Sequence, residues 1–72
     1  MTSYAKQLIL EAIKRAGTTE TGPVCLALED IYREKSKHKY AAYVFKGLKR
    51  MGFKTYSDVE KAIQEVTNEQ IA

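Results

Sequence analysis

Ala5, Ile9, Ala12, Ile13 and Ala16 recur at the spacing of one helical face, with Gln7, Glu11 and Lys14 opposite and Gly17 directly after. A period of 3.6 commits the segment to an amphipathic helix, whose apolar stripe must be buried against other elements. The pattern predicts a helix over residues 3–16, with Ser3 as N-cap and Gly17 as the left-handed residue that ends it. Since the chain has 72 residues, the stripe has to be covered within one small domain. A chain of this length buries only about 60% of its unfolded surface, and its radius of gyration is expected to be roughly 11 Å.

Three more segments repeat the helical pattern. Pro23 suits the first turn of a helix, where its missing N–H would be unpaired anyway, and Val24, Leu28, Ile31 and Tyr32 keep helical spacing as far as Lys35. The continuous apolar run Val24-Cys25-Leu26-Ala27-Leu28 leaves a short strand open as an alternative for 24–28, and helix is the preferred reading over 23–35. Ser36-Lys37-His38 is a polar break. A third helix is predicted over 39–51, with Tyr40, Ala41, Val44, Leu48 and Met51 on its buried face, Gly52 as its stop and Phe53 folding back as a core plug.

Gly47 lies inside that third helix, where glycine costs about 1 kcal/mol relative to alanine; close approach of another helix would explain it. Ser57-Asp58-Val59-Glu60 has the S-x-x-E form of a capping box and predicts a fourth helix over 57–68. Its narrow stripe of Val59, Ala62, Ile63 and Val66 suggests peripheral packing, and Asn68 to Ala72 are expected to fray. The expected fold is a single all-α domain of four helices.

Catalytic constellations are scarce. One histidine and one cysteine cannot supply a Cys/His metal site of the usual ligand number, and no metal or other cofactor is expected. The four glycines form neither a P-loop nor a dinucleotide-binding turn. A Cys25/His38 nucleophile pair would lack an orienting acid and an oxyanion-hole signature, so Cys25 reads as a small core hydrophobe. Glu29 and Asp30, adjacent on a helix, point in different directions and read as solvated rather than as an acid/base pair. A pocket of about 300 Å³ or more would consume much of so small a core, so the chain is expected not to be an enzyme.

A single cysteine allows no internal disulfide, where a secreted domain this small would carry several. No basic stretch leads into an apolar one near Met1, and no apolar run reaches the about 20 residues that span a bilayer. A cytoplasmic protein without membrane contact is the expectation. With neither disulfide nor metal for support, a homodimer is a natural way for such a small domain to gain stability.

Charge is where the sequence speaks of a partner. From Arg33 to Lys54 eight basic residues face one acid, Glu34, a net +7, while the other fifty residues carry four basic and eight acidic groups, a net −4; together they give the chain's +3. Such polarity creates a local positive field. At about 100° per residue, Lys39, Lys46, Lys49 and Arg50 fall on one arc about 100° wide opposite Val44, with Ala42 inside it and Tyr43 at its edge. Lys35, Lys37 and His38 precede the arc and Lys54 follows it. Small and cationic side chains admit a phosphate backbone closely, and a tyrosine can donate a hydrogen bond or stack on a base. Cations near a helix C-terminus are also favoured by the macrodipole, which accounts for part of the pattern without a partner.

Ile9-Leu10-Glu11-Ala12-Ile13, Leu28-Glu29-Asp30-Ile31-Tyr32 and Leu48-Lys49-Arg50-Met51-Gly52-Phe53 give residues 8–53 a likeness in pattern. The stretch resembles the three-helix core of helix-turn-helix and winged-helix DNA-binding domains. That resemblance implies a helix-turn-helix-like core with the third helix as recognition helix in the major groove, to which this chain adds an acidic C-terminal helix. The chain lacks the strand pair of a wing, and its cations crowd the C-terminal half of the third helix, away from where bases are usually read. Phosphate contact is therefore the sharper expectation: a small DNA-binding regulatory protein acting on transcription, touching double-stranded DNA through Lys37, Lys39, Tyr43, Lys46, Lys49, Arg50 and Lys54. The rival is an adaptor or inhibitor whose basic face docks on an acidic protein surface.

Overall fold

A computed structural model describes residues 2–36 and 41–71, the side chains of 41, 42, 70 and 71 excepted. Four helices follow one another: α1 (Ser3–Ala16), α2 (Thr21–Lys35), α3 (Ala41–Arg50) and α4 (Tyr56–Ile71). The all-α architecture expected from the sequence is the one observed, with no strand among the described residues and a radius of gyration of 11.4 Å. Residues 24–28 are helical throughout, which removes the strand alternative.

The ends of the helices show which local signals prevailed. Thr2, not Ser3, caps α1, its hydroxyl accepting from the Ala5 N–H at 3.1 Å. Gly17 closes the helix at φ 72° and donates to the Ile13 carbonyl. α2 starts two residues before Pro23; the proline still lies in the first turn, where its lack of an N–H leaves no bond unmade. Tyr40, one of the expected buried residues of α3, lies outside the described residues, and α3 is seen from Ala41.

At the end of α3, Gly52 (φ 98°) donates to the Lys49 carbonyl and Phe53 to the Leu48 carbonyl. This is a Schellman closure, which brings the residues flanking the turn into apolar contact. Both Leu48 and Phe53 are buried, so the predicted plug is in place. The cap of α4 lies two residues upstream of the expected Ser57/Glu60 box. Thr55 accepts from the Asp58 N–H through its hydroxyl, and the Asp58 carboxylate accepts from the Thr55 N–H. Threonine and aspartate thus fill the box, while Ser57 and Glu60 are exposed.

Packing is shared out differently from the sequence expectation. Val59, Ala62, Ile63 and Val66 of α4 are all buried, together with Ala5, Leu8, Ile9 and Ala12 of α1 and Val24, Ala27, Leu28 and Ile31 of α2. α4 lies against both α1 and α2, and among the described residues α3 lies against α2 alone. A narrow stripe sufficed to bury α4 deeply because its residues are small or β-branched and admit close approach. α4 continues past Asn68 to Ile71, and Glu69 forms an ion pair of 2.7 Å with Lys6 on α1. Val44 and Leu48 tie α3 to the core.

Candidate nucleic-acid interface

Because α3 is covered on one side only, most of its circumference faces outward. Tyr43, Lys46, Lys49 and Arg50 are exposed, as is Lys54 just past the turn; Lys37 and Lys39, the other two residues expected in the interface, lie outside the described residues, as does His38. Of the six cations elsewhere among the described residues, three are committed to carboxylates. Lys6 pairs with Glu69, Arg15 with Glu34 and Glu11, and Arg33 with Asp30. Among the described residues, Lys46, Lys49, Arg50 and Lys54 form no ion pair. Their charge is available to a partner.

The arc is not one plane. Lys46 and Arg50, one helical turn apart, border a cleft of about 280 Å³ shared with Tyr43 and Gly47 of α3 and with Tyr32 and Ser36 at the end of α2. Its floor explains the interior glycine. A Cβ built on Gly47 would fall inside the phenol of Tyr32, at its hydroxyl and ring carbons. The close approach expected at Gly47 is therefore made by a side chain and not by a second helix backbone. It leaves an aromatic hydroxyl beside two cations, with Ser36 and Tyr43 adding two further hydroxyls to the lining.

No family model, curated protein or solved structure matches this chain.

What the interface can do follows from its chemistry alone. Ammonium, guanidinium and hydroxyl groups converging on a concave surface are donors to an anion with several acceptor oxygens; guanidinium pairs bidentately with phosphate or carboxylate. Sequence reasoning missed Tyr32 and Ser36, which lie on the preceding helix and in the break after it. The one signal that pointed to them was Gly47.

Lys49 and Lys54 belong to the other side of α3. There they border a groove of about 390 Å³ with Cys25, Leu28, Glu29, Phe45, Leu48, Phe53, Thr55, Tyr56 and Val59. Cys25 lines this groove, and burial, followed by the nearby charge of Glu29, pushes its thiol pKa up. That is the reverse of the electropositive setting that activates a thiolate. Among the described residues no group of three or more His, Cys, Asp or Glu is placed to hold a metal ion, and no helix is long and apolar enough to cross a membrane.

Proposed function

We propose that this protein is a small DNA-binding regulator, of cytoplasmic setting, that grips the phosphate backbone through α3. One observation carries the reading: Lys46 and Arg50, neither paired with a carboxylate, flank a cleft whose floor is the Tyr32 hydroxyl over Gly47. A phosphodiester brings no more than the cleft can meet, one negative charge with two acceptor oxygens. Lys37 and Lys39 add to the positive charge of this stretch in the sequence, while Lys49 and Lys54, in the groove across α3, contribute to the field only at a distance. Phosphate contacts of this kind fix orientation and affinity without reading bases, in keeping with cations gathered at the C-terminal half of α3. The protein acts by binding; the raised thiol pKa of Cys25 gives no support to nucleophilic chemistry.

A salt titration with a short labelled duplex tests the reading. Each phosphate neutralised contributes about −0.9 to the slope of log affinity against log salt, so several contacts give a steep line. Reversing Lys46 and Arg50 together to glutamate removes binding while the far-UV circular dichroism spectrum stays that of the wild type. Failure to bind any duplex at low salt refutes the proposal. If the protein instead binds an acidic protein surface through the same two residues, the face is an adaptor's.

A further inference from the structure

The groove on the far side of α3 is a second surface, distinct from the phosphate cleft. Its wall is apolar, from Leu28, Leu48, Phe53 and Val59, and its rim holds Phe45 at 46% and Tyr56 at 60% exposure. On α2, next in sequence to the groove residue Cys25, is Leu26, the most exposed large hydrophobic residue of the chain's described part at 66%. Leu26 follows Cys25 and precedes Glu29 by one helical turn, and both of those line the groove. Two of the six exposed large hydrophobics thus line the groove, and Leu26 stands outside its lining on the same helix as Cys25 and Glu29. Monomeric proteins seldom expose such a cluster without a use for it.

We infer that this groove is where a second copy of the chain docks, the Leu26 of each copy entering the groove of the other about a twofold axis. A twofold interface is self-complementary: if residue i of one copy meets residue j of the other, j meets i as well. That requires a protruding anchor and a receptive groove side by side on one surface, and opposite charges at the same rim. Both conditions are met. Leu26 is the anchor, and Glu29 shares the groove with Lys49 and Lys54, which form no ion pair among the described residues. A purely acidic partner would be repelled by Glu29; a second copy offers it lysines and offers the lysines a glutamate.

The arrangement is compatible with the cleft on the opposite flank. At about 100° per residue, Phe45 and Gly47 project about 160° apart around α3, so a dimer closed through the groove leaves both phosphate clefts open. It also meets the need of a small core for outside support.

Sedimentation equilibrium over a wide range of concentration tests the inference, with Cys25 alkylation as a second readout. The wild type sediments as a dimer, and its Cys25 is alkylated more slowly as concentration rises, because the second copy covers the groove. Leu26→Glu, a change at an exposed position, shifts the dissociation constant at least tenfold towards monomer and keeps the helical spectrum. Glu29→Lys weakens the dimer, as does Lys49→Glu with Lys54→Glu, and the three changes together restore it in large part. A wild type that is monomeric at every concentration overturns the inference, and so does a dimer indifferent to Leu26→Glu. DNA binding plays no part in either readout, so the two proposals fail separately.

Discussion

The phenol of Tyr32 occupies the space that a side chain on Gly47 would need, locking the end of α2 onto the middle of α3. In an open helix, alanine in place of glycine would gain about 1 kcal/mol. Here the added methyl meets a ring already in place, and overpacking of this kind costs about 1–3 kcal/mol. Gly47→Ala is therefore expected to lower stability in urea unfolding. The same change made with Tyr32→Ser should raise stability relative to Tyr32→Ser alone.

Removing only the hydroxyl separates the two uses of Tyr32. Tyr32→Phe keeps the ring over Gly47 and takes away a donor in the cleft. Thermal unfolding should change little, while affinity for duplex DNA, measured by fluorescence anisotropy, should fall several-fold. Equal losses in both would mean that the hydroxyl serves the fold and not the ligand.

The cap of α4 predicts which of two neighbouring threonine and serine residues matters. Thr55→Ala removes the side-chain acceptor for the Asp58 N–H, which retains only the Thr55 carbonyl, and should cost about 1 kcal/mol. Ser57→Ala and Glu60→Gln alter exposed residues outside the cap and should leave the urea midpoint close to that of the wild type.

Asp58 gives the cap its pH dependence. Bonds from the Thr55 and Lys54 N–H groups, at 3.0 and 2.9 Å, hold its pKa below the usual carboxylate range. The folded pKa is depressed, so its stabilising contribution is fully present above the unfolded value of about 3.9 and is lost as pH falls through the folded value. Asp58→Asn should thus unfold more readily than the wild type at neutral pH, the gap closing as the solution is acidified below that range.

Cys25 should be a slow nucleophile. Burial and Glu29 raise its pKa, so alkylation at mildly alkaline pH, in protein too dilute to associate, should be slower than that of free cysteine. Glu29→Gln should speed it.

Much of the fold was legible because the apolar period is unbroken from Ala5 to Ala16 in α1 and from Val59 to Val66 in α4. Less legible was how deeply each helix is engaged. The stripe of α4 is narrow, and only three-dimensional packing shows that small residues such as Ala62 bring it against two neighbours at once. Its cap was misplaced because two boxes of similar form overlap, Thr55 to Asp58 and Ser57 to Glu60, and Phe53 anchors the chain so that the earlier one starts the helix. The basic arc could be drawn from spacing alone. Its division into a cleft at Lys46 and Arg50 and a groove at Lys49 and Lys54 could not, since α2 and the turn before α4 supply the opposing walls.

The lodging of α3 against α2 alone has a consequence for how such a molecule can vary over time. Residues on the outer circumference of α3 bear on no other helix, so they can be exchanged without disturbing the buried stripes of α1, α2 and α4. A lineage built this way can change what it grips while inheriting the same scaffold, provided that position 47 stays glycine for as long as Tyr32 remains.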